Sequence, residues 1–346
     1  MSTRPAPSDA AREDRLTKVL QVGQWMWSDE LGQFKWDAKA SGGAQEPSMP
    51  PPIPTAPRMA PMDGPLPDPS MLCLLDRDPA TLAHAQAALV QLRALKGQAP
   101  SQYDNEQDYQ RSMASGLAAP KLFGDKLFAG QDTTSLDKVK ARVWYTMSQV
   151  AAEMGVRMYD QRKGTGGGHD NMGFVSTLTE YYASSNDHVY LFHADSHGDR
   201  DPNRPPDTAD YIQVTAVYYM VDAAIEPEAM RRAGQGSTLY NLHNTALCSD
   251  DTDVAYCPLQ NGMITLFDGA QFHGVGPNYG VERGAVIFKC FLYRPYTPKR
   301  RESREVWWQG VKGALLKIAS DPANKFLATE PPRMKLCDAL RRPSSA

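Results

Sequence analysis

The sequence predicts an α+β fold in which helices come first and an antiparallel sandwich or jelly roll carries the functional residues. Three observations lead to this reading. Apolar residues recur at helical spacing between Leu82 and Met154; the stretch from Val175 to about Arg294 breaks into short β-prone runs separated by polar turns; and a last helix is expected from about Val306 to Ser320.

Leu82, Ala85, Leu89, Leu92 and Leu95 are spaced by three and four before Gly97, the pattern of an amphipathic helix with a glycine at its C-terminus. Leu136, Val139, Val143, Met147, Val150 and Met154 repeat it, with Ser135 as N-cap and Gly155 as the stop. Strands are expected from Val175 to Tyr182, Tyr190 to Asp195, Val214 to Val221, Ser237 to Leu242, Met263 to Phe267 and Ala285 to Tyr293. Ahead of these elements Trp25, Trp27, Phe34 and Trp36 form an aromatic stretch expected to dock on the main domain, since a free domain of that size is marginal. From Glu46 to Pro69 proline dominates, including Pro50, Pro51 and Pro52, which favours extended polyproline geometry. The expected organisation is therefore an aromatic and polar segment over 1–45, a Pro-rich linker or strap over 46–70, a helical support region over 71–160, the β core over 161–296, and a C-terminal helix and tail over 297–346. There is no fixed-period repeat. The glycine run from Gly164 to Gly168 lacks the Gly-Lys-Ser/Thr ending of a phosphate loop and reads as a flexible loop.

A formal net charge of −3 gives no global basic field, so bulk charge does not draw the chain to a nucleic-acid backbone. Lys299, Arg300, Arg301 and Arg304 read as a solvated helix flank rather than a phosphate-binding patch. Met1 to Arg15 is polar and lacks the apolar centre of a secretory leader, and no apolar run approaches the roughly 20 residues of a membrane span. The expected setting is intracellular, cytoplasmic or nuclear, with no membrane. Cys73, Cys248, Cys257, Cys290 and Cys337 lack metal or redox spacing and read as thiols of a reducing compartment, with Cys248 and Cys257 placed to approach across a loop.

The chemistry-bearing pattern is His193-Ala-Asp195 followed by His273. Two imidazoles and one carboxylate form the facial ligand set of a non-haem iron(II) site, which leaves coordination positions open. Residues at i and i+2 share a face only in an extended segment, and Val189, Tyr190, Leu191 and Phe192 supply one ahead of the pair. A second match, His197-Gly-Asp199, sits among Ser196, Gly198, Arg200 and Pro202, a loop composition, so the first pair is preferred. Arg283 lies 283 − 273 = 10 residues past the second histidine and begins an apolar strand, where a guanidinium can hold a buried carboxylate in bidentate fashion. Lys289, deeper in that strand, is the competing carboxylate partner.

The stretch from Val175 to Tyr293 resembles the catalytic core of the iron(II)- and 2-oxoglutarate-dependent dioxygenases, most of all the prolyl-hydroxylase-like branch. The elements that carry the resemblance are His193-Ala-Asp195, the strand from Thr215 to Tyr219, the glycine-led strand from Gly234 to Tyr240, His273 and Arg283. It implies a double-stranded β-helix (jelly-roll) core, iron held by His193, Asp195 and His273, and the distal carboxylate of 2-oxoglutarate paired with Arg283. By position it implies Tyr219 as a second partner of that carboxylate, with Tyr182 or Tyr190 beside metal and cosubstrate. O2 is the implied oxidant, and ascorbate is admitted as an accessory. The implied substrate is a protein side chain, proline included, or a small molecule. Oxidation of nucleic-acid bases, and a cupin-like or catalytically silent metal-binding barrel, stay open as alternatives. The segments from Ser196 to Ala209, Met220 to Gly234 and Asn241 to Pro258 exceed what a minimal barrel needs, and loops at a barrel mouth set specificity.

Overall fold

The computed structural model describes residues 25–28, 33–36, 70–99, 121–122, 125–158, 176–182, 190–195, 209–222, 237–244, 251–276, 281–295 and 302–340. The chain divides into two compact units, Met1–Met59 and Ala60–Ala346. In the first, strands β1 (Trp25–Ser28) and β2 (Gln33–Trp36) form an antiparallel hairpin with Trp25 opposite Trp36 and Trp27 opposite Phe34. Docking of this stretch, the Pro-rich strap, the glycine run at 164–168, the His197/Asp199 pair, Cys248 and the basic cluster at 299–301 all lie outside the described residues.

The second unit opens with β3 (Met71–Asp76) and helix α1 (Pro79–Leu95). Asp78 caps α1 by accepting the Thr81 N–H at 3.2 Å, and Pro79 stands where a missing N–H is harmless. Ala85, Leu89, Leu92 and Leu95 are buried, as their spacing requires, but the helix ends at Lys96 in right-handed geometry rather than on a left-handed Gly97. Strand β4 (Lys121–Leu122) and a 3₁₀ turn (Asp125–Phe128) lead to α2 (Thr134–Glu153), which buries Leu136, Val139, Val143, Met147 and Val150 and stops at Gly155 with φ +62°. Its N-cap is Thr133, not Ser135. The Ser135 hydroxyl lies within the first turn, 3.2 Å from His84 Nδ1.

The β elements follow as β5 (Arg157–Met158), β6 (Ser176–Tyr182), β7 (Tyr190–His193), β8 (Ala209–Val221), β9 (Thr238–Asn241), β10 (Asp253–Tyr256), β11 (Met263–Asp268), β12 (His273–Val275) and β13 (Arg283–Pro295). The chain ends with α3 (Arg304–Ser320), β14 (Phe326–Thr329), β15 (Arg333–Lys335) and α4 (Leu336–Leu340). Several strands run beyond their expected limits: β8 starts at Ala209 instead of Val214, and β13 runs from Arg283 to Pro295. Others stop short, since β7 ends at His193 and Asp195 lies in the bend beyond it. Strand β3 was not expected, because an apolar run just before a helix carries no alternation to mark it.

Two antiparallel sheets result. The larger has the order β14-β3-β11-β8-β13-β6-β4, with β5 also on β13, and the smaller has the order β15-β10-β9-β12-β7. From β6 to β13 the chain crosses repeatedly between them, so that β6-β13-β8-β11 faces β7-β12-β9-β10. That interlocked order is the double-stranded β-helix, and with the flanking helices it gives the expected α+β class.

Period-two alternation divides the larger sheet between two cores. Met71, Cys73, Val217, Tyr219, Met263, Phe267 and Ala285 face inward and pack with Tyr240, Ala255 and Cys257 of the smaller sheet and its edge. Leu72, Leu74, Val214, Ala216, Tyr218, Ile264, Val286 and Phe288 face outward under α1, α2 and α3, whose Trp307 and Trp308 are buried there. Burial on both faces explains why β8, β11 and β13 read as nearly continuous apolar runs. Cys73, Cys257 and Cys290 are free, buried thiols, and burial pushes Cys290 up to about 12. Gly262, at φ +81°, turns the chain into β11 where a Cβ would stand 2.3 Å from Leu82 Cδ2. Among the described residues no helix is long and apolar enough to cross a membrane.

One buried ion pair ties helices to sheet. Arg142 of α2 donates from Nε and Nη2 to the two oxygens of Asp76 at 2.9 Å each, reaches the Asn324 carbonyl at 2.6 Å, and stacks on Phe326 at 4.0 Å. Removing one partner strands a buried charge. Arg142→Met should therefore destabilise the fold by about 3–5 kcal/mol in urea denaturation, and adding Asp76→Asn should recover part of that loss.

Candidate active site

Asp195 and His273 meet inside the barrel, with His273 Nε2 3.8 Å from Asp195 Oδ2 and both side chains buried. Their backbone placement explains the meeting. His273 opens β12, and its Cα partner across the antiparallel pair is His193, the last residue of β7. Between this pair and the Val275–Tyr190 pair, β7 carries one residue more than β12, a bulge of the kind that re-aims neighbouring positions. The His193 side chain lies outside the described residues, and among those described no group of three metal-binding side chains is complete.

The imidazole of His273 is held on several sides. Its Nδ1 lies 2.9 Å from the Gln271 carbonyl, and its ring packs on Phe267 at 4.4 Å and Tyr240 at 6.3 Å between centroids. With Nδ1–H donating to that carbonyl, Nε2 presents its lone pair toward Asp195, the tautomer a metal ligand needs. Asp195 is held from the opposite sheet: Thr215 donates its hydroxyl to Oδ2 at 2.8 Å, and Lys289 places Nζ 2.5 Å from Oδ1. Lys289 thus faces the acid of the proposed ligand set rather than lying among apolar neighbours.

Arg283 begins β13, opposite Tyr182 of β6 and Val221 of β8. It is only 1% exposed. Its guanidinium carbon lies 3.9 Å from the Tyr182 ring centroid and 5.2 Å from that of Tyr219, while Nε has no hydrogen-bond partner among the described residues. Cation–π contact compensates part of the lost hydration of a buried guanidinium, and an anion compensates far more. Arg283 and Lys289 share the inner face of one strand, being an even number of positions apart.

The tyrosines contribute ring faces. The Tyr182 hydroxyl donates to Glu180 Oε2 at 2.7 Å. The Tyr219 hydroxyl is paired with the Thr238 hydroxyl and also accepts the Thr238 N–H at 3.2 Å. Burial pushes the Tyr219 phenol well above its usual range, so it stays protonated. The side chain of Tyr190 lies outside the described residues.

Sequence reasoning missed Glu180 and Thr215. Glu180 is buried on β6, opposite Ala285 and two residues from Tyr182, and so lines the same inner face. Burial raises its pKa, against the hydrogen bond from Tyr182 and the positive charges of Arg283 and Lys289. The only signal in the sequence was a lone acid in an aromatic strand, which looks the same on a solvated face.

Glu180 makes stability depend on pH. Its folded pKa lies above the ordinary glutamate value of 4.5, so the stability present below that value is lost as pH rises through the raised one. Glu180→Gln cannot ionise and should gain stability relative to the parent as pH is raised from about 4 to about 8 in urea denaturation. A difference that is flat or shrinks with pH would contradict the burial-dominated reading.

No family model matches the chain, and no curated protein matches it in sequence. Among solved structures the chain is similar to a prolyl hydroxylase from Trichoplax adhaerens in complex with a hypoxia inducible factor oxygen degradation domain peptide, at 15% identity over 63% of this chain and 82% of that one, with a TM-score of 0.33. It is similar to a Pseudomonas putida prolyl-4-hydroxylase at 14% identity over 66% and 94% of the two chains, with a TM-score of 0.36. It is also similar to a non-heme alpha ketoglutarate dependent epimerase from nogalamycin biosynthesis at 13% identity over 68% and 87%, with a TM-score of 0.38.

Proposed function

We propose that this chain is an iron(II)- and 2-oxoglutarate-dependent dioxygenase, an oxidoreductase that oxidises a protein side chain, proline included, or a small molecule. The observation that carries the reading is Arg283, buried between two aromatic rings with no partner for Nε among the described residues, in a barrel whose lining also brings Asp195 to His273. The donor set fits a divalent ion. It pairs a buried carboxylate with an imidazole nitrogen 3.8 Å away; ligands at right angles about 2.1 Å from one ion stand about 3 Å apart, so the two side chains would close by somewhat less than about 1 Å on a bound ion. His193, in register with His273, is the third ligand of the proposal.

Held by His193, Asp195 and His273, an iron(II) would supply activation of O2, one oxygen atom going to succinate as 2-oxoglutarate loses carbon dioxide and the other to the substrate. The chain's own residues do the positioning. Arg283 pairs with the distal carboxylate of the cosubstrate, and the Tyr182 and Tyr219 rings keep water from that pair, which strengthens it. The Gln271 carbonyl fixes the His273 tautomer, while Thr215 and Lys289 fix the Asp195 carboxylate.

Succinate formation with added iron(II) and 2-oxoglutarate tests the assignment. Asp195→Ala should abolish it, and a variant that kept wild-type turnover would remove Asp195 from the metal. Arg283→Ala should raise the 2-oxoglutarate concentration needed for half-maximal turnover by roughly 30-fold or more, the equivalent of losing a buried charge pair worth about 2–5 kcal/mol. An unchanged dependence would remove Arg283 from the cosubstrate site.

A further inference from the structure

We propose that Lys289, together with Thr215, holds Asp195 as a one-oxygen metal ligand and thereby keeps a coordination position free for O2 or substrate. The proposal rests on the metal reading given above. It starts from the division of the carboxylate. Oδ2 accepts the Thr215 hydroxyl at 2.8 Å and is the oxygen that stands 3.8 Å from His273 Nε2, whereas Oδ1 faces the Lys289 ammonium at 2.5 Å. An ionised carboxylate has about four lone-pair sites, two on each oxygen, so the division is one of charge: Oδ1 lies against the Lys289 ammonium, and Oδ2 is the oxygen nearer His273, the one that a metal shared with His273 would meet.

Chelation through both oxygens would turn Oδ1 toward the ion and so bring the ion beside the Lys289 ammonium, whose charge opposes it. The clamp resists that rotation because it is built on a rigid rung. Thr215 and Lys289 are direct Cα partners on β8 and β13 of the larger sheet, while Asp195 comes from the bend after β7 of the smaller one. The pair therefore fixes the acid across the barrel. Lys289 is also dispensable for covering the site, since its side chain is 28% exposed against 4% for Asp195.

An ammonium so close to a metal position also opposes metal binding, both by repelling the ion and by competing for the carboxylate. A lysine retained for packing would bring that penalty with no return. A lysine that prevents bidentate ligation brings an open site, which is what oxygen chemistry at a facial triad needs. Lys289 is thus a positioning residue that acts through Asp195.

Manganese(II) is a suitable probe, because the water-proton relaxation of the bound ion reports how many exchangeable waters it keeps. Three single-atom protein ligands leave about three positions open on a six-coordinate ion, so the wild type and Lys289→Arg should retain about three waters. Lys289→Met should retain about two and bind manganese(II) roughly tenfold or more tightly, as the released carboxylate supplies a second oxygen. Should Lys289→Met not fold, Lys289→Gln, which keeps the length and drops the charge, should show the same tightening. A water count in Lys289→Met equal to that of the wild type, or weaker binding in the folded neutral variants, would overturn the proposal. If the wild type bound no manganese(II), or Asp195→Ala bound it as well, the metal reading itself would fail and the clamp with it.

Discussion

The guanidinium of Arg283 sets the terms for the rest of the site. Removing a cation from water costs several kcal/mol even after relaxation, and two aromatic faces return only part of that. An anion is the partner that the proposed function supplies, and among the described residues Nε has none. The surrounding residues are arranged to keep it so. Tyr182 spends its hydroxyl on Glu180, Tyr219 spends its own on Thr238, and neither occupies the guanidinium with a hydrogen bond. Glu180 shares the inner face, and burial biases it toward the neutral acid, which leaves the positive charge of Arg283 less compensated.

Holding that arrangement requires a stiff frame. The larger sheet is buried on both faces, by the barrel interior on one side and by α1, α2 and α3 on the other, so β8 and β13 cannot shift register without exposing one core or the other. Arg283 and Lys289 on β13, with Thr215 and Tyr219 on β8, inherit this rigidity. The proposed metal ligands come from the smaller sheet. His273 lies on β12, and Asp195 lies just past β7, so the site forms where the two sheets face each other. Hydrogen bonds from Thr215 and Lys289 span that gap and couple the position of Asp195 to the stiffer side.

Much of this was legible because the physics involved is local. Helical spacing located α1 and α2, and the apolar run ahead of His193 located β7, whereas the choice of His193 and Asp195 over His197 and Asp199 turns on a pair outside the described residues. Arg283 stood out as a charge at the head of an apolar run. What could not be read depends on register and crossing. The strand at Met71–Asp76 is apolar on both sides because both sides are covered, so it has no alternation to announce it. Glu180 looks like any solvated strand acid until pairing with Ala285 turns it inward, and Thr215 gains its role only because Lys289 is its partner across the ladder. Lys289, read as the competitor of Arg283 for a carboxylate, sits against Asp195 instead.

In the proposed function one barrel lining binds a dicarboxylate through two anchors, a metal at Asp195 and His273 and the guanidinium of Arg283. Calorimetric titration of 2-oxoglutarate into the protein, with and without manganese(II), tests this most directly. Saturable binding that strengthens sharply when the metal is present, and loses that strengthening in Asp195→Ala, is the expected result. Binding of equal strength with and without the metal, or no binding under either condition, would contradict the account.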